Sequence, residues 1–250
     1  MAIKSGIYAA AVSVFNEDLS LDISSTIAHA DKLLKEGCHG VAIFGSTGAG
    51  QLISRAEKEK LIENISSSKI KEDILIGTSD NSFNETVGLM NFSLRNGINS
   101  FLMMPPAYYK YGDKEVYSFF SKIVEKVPDS EIILYNFEKL CGYKFSIDCI
   151  KELVKKFPDQ IVGVKDSSYN LFENLKLDDF SLMPGSESKL LKGLQLGCSG
   201  IITATCNVTS LLARKVYDDF QAGNEQTVNK KLCDVRNIFE KYNLISGLHT

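Results

Sequence analysis

Lys165 closes an apolar run, Ile161-Val162-Gly163-Val164, that otherwise reads as a strand with no exposed face. An ammonium where such a strand meets a loop is costly to desolvate, which favours the neutral amine, the form that attacks carbonyl carbon. Taken alone, the run also suits a lysine whose stem lies on apolar surface and whose head is in water. Tyr135 ends Ile132-Ile133-Leu134. A phenol there could carry protons, although an aromatic plug at the rim of a core fits the same pattern. Gly45-Ser46-Thr47-Gly48-Ala49-Gly50 follows a third apolar run and precedes a helical stretch near Ser54. Its glycines admit close backbone approach, its hydroxyls donate hydrogen bonds, and free amides near a helix start attract a carboxylate or phosphate. The loop is neither a P-loop nor a G-x-G-x-x-G fingerprint, and an ordinary tight turn would use the same residues. Together, amine, phenol and anion cradle meet the demands of Schiff-base chemistry: a neutral lysine attacks a ketone, a proton shuttle dehydrates the carbinolamine, and an anchor holds the substrate carboxylate.

These groups need a scaffold that brings distant strand ends together. Short β-rich runs at 8–14, 40–44, 74–77, 100–103, 132–135, 161–164, 181–183 and 200–203 alternate with amphipathic stretches beginning near Leu21, Ser54, Ser82, Asp113, Ser146, Leu171, Glu187 and Thr209. Several of those starts carry Ser or Asp as N-caps. Residues 230–242 add a helical pattern with no strand after it. Eight βα repeats in 250 residues without a Gly/Pro/Ser-rich linker predict an α/β fold, a (β/α)8 TIM barrel over residues 1–222 with a short appended C-terminal helical segment over 223–250. Local patterns alone leave a doubly wound sheet open. In a barrel the chemistry belongs just after each strand, which is where the three groups fall.

The composition narrows the field. Twenty-eight basic against thirty-one acidic residues, with no long block of either sign, argue against a nucleic-acid partner. The six cysteines form no C-x-x-C pair and no Cys/His cluster of zinc-ligand spacing, so no metal is expected and the thiols read as reduced. His29, His39 and His249 are scattered, and His29 and His39 read as packing or surface residues. The apolar segment 7–15 follows Lys4 like a weak signal peptide but runs directly into Asn16-Glu17-Asp18, so it is read as the first strand. No run approaches membrane-spanning length. A soluble cytoplasmic protein is expected.

Gly45-Ser46-Thr47-Gly48, Tyr135-Asn136 and Gly163-Val164-Lys165-Asp166-Ser167-Ser168 resemble the motifs of the dihydrodipicolinate synthase/N-acetylneuraminate lyase family of pyruvate-dependent class I aldolases. So do Pro105-Pro106-Ala107-Tyr108-Tyr109, Pro184-Gly185-Ser186-Glu187 and Gly200-Ile201-Ile202-Thr203-Ala204, in the same order along nearly the whole chain. The resemblance implies that Lys165 forms an imine with pyruvate or another 2-oxo acid and that Tyr135 relays protons. It implies that Ser46 joins that relay while Thr47 and Gly48 grip the carboxylate, and that Tyr109 reaches a neighbouring subunit's site in a homotetramer or dimer. Gly185 and Ile202 would line the site through their backbones, and Ser186, Glu187 and Ser188 would hold the polyhydroxylated tail of a sugar acid. No cofactor is implied.

The residue five after the tyrosine separates subgroups of the family: synthases carry an arginine whose fork binds a carboxylate, and here it is Leu140. The expected reaction is therefore reversible aldol cleavage of a 2-oxo-3-deoxy sugar acid. The alternatives are dihydrodipicolinate synthesis with Arg55 or Arg95 supplying the missing fork, or a non-catalytic 2-oxo acid binder. Ala49, Glu138 and Val14 depart from the family pattern, and the C-terminal extension is shorter than usual for it.

Overall fold

The computed structural model describes residues 3–249. Each apolar run becomes a strand because its residues are buried on both faces, inside by the barrel interior and outside by helices. In chain order the elements are β1 (Gly6–Ala10), α1 (Ile23–Lys35), β2 (Gly40–Ile43), α2 (Arg55–Ser66), β3 (Ile74–Gly77), α3 (Phe83–Arg95), β4 (Ser100–Met103), α4 (Asp113–Lys126) and β5 (Glu131–Asn136). They continue with α5 (Glu138–Cys141), α6 (Ile147–Lys156), β6 (Ile161–Asp166), β7 (Ser181–Pro184), α7 (Leu190–Gln195), β8 (Gly200–Thr203), α8 (Cys206–Gln221), α9 (Asn229–Glu240) and α10 (Leu244–Leu248).

All eight strands are parallel and run in the order β7-β6-β5-β4-β3-β2-β1-β8. The ring nearly closes where β7 meets β8, with Ser199 N–H donating to the Leu182 carbonyl at 3.0 Å. This is the predicted (β/α)8 barrel. Its N-terminal end is filled: Tyr8 pairs with Gly40 and Ile202 in register, and a Cβ on Gly40 would lie 2.2 Å from the Tyr8 ring. In this fold the chemistry belongs at the other, C-terminal end of the strands.

Helix starts follow local side-chain chemistry. Asp22, Ser54, Ser82, Ser146 and Asn243 each accept an amide of the first turn, and Glu57 completes a capping box with Ser54. No helix among the described residues is long and apolar enough to cross a membrane.

Two predicted elements differ. The first strand ends at Ala10 rather than residue 14, because the Val12 amide turns to Asn207 Oδ1 (3.1 Å) and the Val14 amide to Thr26 Oγ1 (3.0 Å). No helix forms near Leu171, because the Asp166 carboxylate takes the amides of Tyr169, Leu171 and Phe172 and folds the β6–β7 connection into an irregular loop around itself. Two short helices, α5 and α10, carry too few residues for a periodic signal.

Candidate active site

Lys165 is the penultimate residue of β6 rather than a loop residue, and it is 4% exposed. Its Nζ does not reach out to water but sits 4.2 Å from the centroid of the Tyr135 ring. The register explains the meeting: Tyr135 and Lys165 are direct partners on adjacent parallel strands, so both side chains enter the barrel mouth at one level. The Tyr135 hydroxyl then reaches across to Ser46 Oγ at 3.1 Å. Amine, phenol and serine hydroxyl, far apart in sequence, form one connected set in which Lys165 and Tyr135 are buried and Ser46 is half-buried.

The ends of β5 and β6 are held by a polar knot. Asn136, the residue after Tyr135, donates Nδ2 to Asp166 Oδ1 and to Asn170 Oδ1, both at 2.8 Å, and accepts the Phe145 amide at 3.0 Å. Asp166, the residue after Lys165, is completely buried, its Oδ1 also meeting Tyr169 N–H at 2.8 Å and its Oδ2 meeting Leu171 and Phe172 N–H at 2.9 and 3.0 Å. These two side chains were present in the recognised motifs but had no assigned task. They lock the strand ends that carry Lys165 and Tyr135. In Asp166→Asn an NH2 replaces one oxygen and faces two buried donors, so a loss of about 2 kcal/mol in unfolding free energy is expected by urea titration; an unchanged midpoint would show that the knot has slack.

The glycine loop is equally constrained. Phe44, next to it, adopts φ 57°, a left-handed conformation rare for a bulky residue, and Ala49 adopts φ 52°. A Cβ on Gly50 would lie 1.9 Å from the Phe44 carbonyl oxygen, so only glycine allows this fold-back. The amides of Ser46, Thr47 and Gly48 have no acceptor among the described residues, which leaves a run of donors beside Tyr135. Thr47 is buried at 3% exposure.

The remaining expected site residues divide. Gly185 lies against Ser167, where a Cβ would come 2.2 Å from its Oγ, and its amide donates to the Asp166 carbonyl at 3.0 Å. Ile202 is fully buried on β8. Tyr109 does not join the cluster: with Tyr108 it forms an exposed edge-to-face pair, centroids 5.0 Å apart, on a loop tied down by Ala107 N–H to Asn81 Oδ1. Ser186 caps the short turn at Glu187–Lys189.

Glu187 departs from the expectation that it meets a substrate tail. Its carboxylate is wholly buried behind β8, accepting from Thr203 Oγ1 (2.8 Å), Thr205 Oγ1 (2.6 Å), Thr209 Oγ1 (3.3 Å) and Arg236 NH1 (3.3 Å). A carboxylate with no water must find its donors inside the protein, and here those donors come from β8, α8 and α9. Burial lowers the pKa of the Arg236 guanidinium, but the charges of Glu187 and Glu240 more than offset this and leave it raised. Burial also raises that of the nearby Tyr169 phenol.

Arg55 and Arg95 are not free to replace a fork at position 140. Arg55 is engaged by Glu59 (2.7 Å) and Glu85 (3.2 Å), and Arg95 ends α3 with its guanidinium over Phe92. Leu140, on α5, is partly exposed.

A profile of the dihydrodipicolinate synthetase family matches residues 4–249. The chain belongs to that family. Among family members, the 4-hydroxy-tetrahydrodipicolinate synthase of Methanopyrus kandleri is 30% identical over 88% of this chain and 75% of its own. The 2-dehydro-3-deoxy-D-gluconate/2-dehydro-3-deoxy-phosphogluconate aldolase of Picrophilus torridus is 29% identical over 79% and 74%. The crystal structure of dihydrodipicolinate synthase from Agrobacterium tumefaciens superimposes with a TM-score of 0.88 at 26% identity, covering 98% of this chain and 86% of that one. The family shares lyase and aldolase chemistry, and its members bear the names of both reactions.

Proposed function

We propose that this family member is a class I aldolase that forms an imine between Lys165 and pyruvate and reversibly cleaves a 2-oxo-3-deoxy sugar acid. The observation that carries the reading is the contact of a buried Lys165 Nζ with Tyr135, whose hydroxyl continues to Ser46. The Lys165 amine adds to the C2 ketone, Tyr135 delivers a proton to the carbinolamine oxygen, and water departs to leave the iminium. The Tyr135 oxygen, left without its proton, takes the proton of the C4 hydroxyl as the C3–C4 bond breaks. The electron pair passes into the iminium to give an enamine, and the aldehyde leaves. Protonation at C3 and hydrolysis by water return pyruvate and the free lysine. Thr47 and the unpartnered loop amides hold the carboxylate.

Leu140 and the engagement of Arg55 and Arg95 elsewhere favour sugar-acid cleavage over dihydrodipicolinate synthesis, because an apolar side chain gives a second carboxylate no partner. The exposed Tyr108-Tyr109 pair and the 84% exposed Leu52 support a homo-oligomer in which Tyr109 completes a neighbour's site. The free thiols of all six cysteines suit a reducing compartment, the cytoplasm.

The test is chemical. The protein is incubated with pyruvate, reduced with borohydride, and its intact mass and peptides are measured. A single adduct mapping to Lys165 is expected; unmodified protein, or an adduct elsewhere, would refute the reading. Aldehyde release from 2-oxo-3-deoxy acids against condensation with aspartate semialdehyde then separates the two reactions.

A further inference from the structure

In a trans peptide the carbonyl and the following amide point in opposite directions, so whatever holds a carbonyl also aims the next N–H. Four successive carbonyls of the glycine loop are held in this way. Gly50 N–H donates to Gly45 O at 3.1 Å, Ala49 N–H to Ser46 O at 3.3 Å, and Ser13 Oγ to Gly48 O at 2.6 Å. The fourth, Thr47 O, is met at 2.7 Å by Nε2 of His249, a residue 202 positions away in the sequence. A carbonyl oxygen only accepts, so Nε2 carries the proton.

The imidazole is itself seated. Its ring lies tilted against Phe15, centroids 6.3 Å apart, and Phe15 is bridged to Leu21 in the connection between β1 and α1. The hairpin of α9 and α10 brings it there, and the Asn243 cap of α10 fixes the turn between them. Of the four holds, this is the one whose donor lies outside the barrel.

We propose that His249 is a positioning residue for the carboxylate cradle: its hydrogen bond to Thr47 O fixes the Thr47–Gly48 peptide plane, aims the Gly48 N–H, and so sets the affinity for the 2-oxo acid. A carbonyl that accepts a hydrogen bond also makes the amide of the same peptide a better donor, so the effect falls on the anchor and not on the amine. The inference rests on the aldolase reading above, since the carboxylate is that reading's anchored group.

The experiment measures borohydride trapping as a function of pyruvate concentration. For His249→Ala, half-saturation is expected to rise about three- to tenfold, the weight of one neutral hydrogen bond, while the trapping rate at saturation stays within about twofold. His249→Gln, whose amide can donate to the same oxygen, is expected to recover most of the loss. An unshifted half-saturation in His249→Ala, or a glutamine variant no better than alanine, would overturn the positioning role while leaving the aldolase reading intact. A wild-type protein that forms no adduct at any pyruvate concentration would sink both.

Discussion

Lys165→Ala is expected to abolish the borohydride-stable pyruvate adduct and to reduce aldol turnover to background, whereas Tyr135→Phe is expected to lose about 10²- to 10⁴-fold in turnover and still accept the adduct on long incubation. The two losses differ because the side chains do different work in one contact. On the proposed mechanism, alanine removes the amine that bonds covalently to the ketone. Phenylalanine keeps the ring beneath Lys165 Nζ, at 4.2 Å from its centroid, and deletes only the hydroxyl that meets Ser46 at 3.1 Å. Packing and amine placement should therefore survive, and the missing proton path should appear in kcat more than in the half-saturating pyruvate concentration. Ser46→Ala is expected to sit between wild type and Tyr135→Phe, because it shortens the path by one member. Continued labelling of Lys165→Ala, or wild-type turnover in Tyr135→Phe, would each remove the basis for the mechanism.

Arg236→Met is expected to cost about 3–5 kcal/mol of unfolding free energy, because it strands the wholly buried Glu187 carboxylate without its counter-charge. Three threonine hydroxyls remain to solvate it, but none carries charge. The double variant Glu187→Gln/Arg236→Met should recover a substantial part of the loss, since neutralising both partners removes the desolvated charge. Guanidinium titrations with an unchanged slope would report the difference as a shift in midpoint. If the single and double variants unfold together, the network is not coupled as the distances indicate.

The parts of this architecture that depend on runs of like residues were legible in the sequence, and those that depend on one long-range contact were not. Strands such as Ile132-Ile133-Leu134 and Ile161-Val162-Gly163-Val164 announce themselves because both faces are apolar, and the positions after them point to the mouth. The Leu171 segment looked helical because its composition permits a helix, but a single carboxylate, Asp166, outbids the helix for its amides. The family resemblance gives Glu187 a substrate tail to hold, whereas its burial depends on Arg236, 49 residues later. His249 gave no local signal at all, since nothing around it repeats, and its partner is a main-chain oxygen.

The left-handed Phe44 bears on efforts to redesign what this barrel accepts. Its carbonyl occupies the space that a side chain on Gly50 or Gly77 would need, with approaches of 1.9 and 2.5 Å, so libraries that randomise those two sites would return mostly misfolded clones. Variation is better spent on Leu140, on α5, whose side chain is 43% exposed.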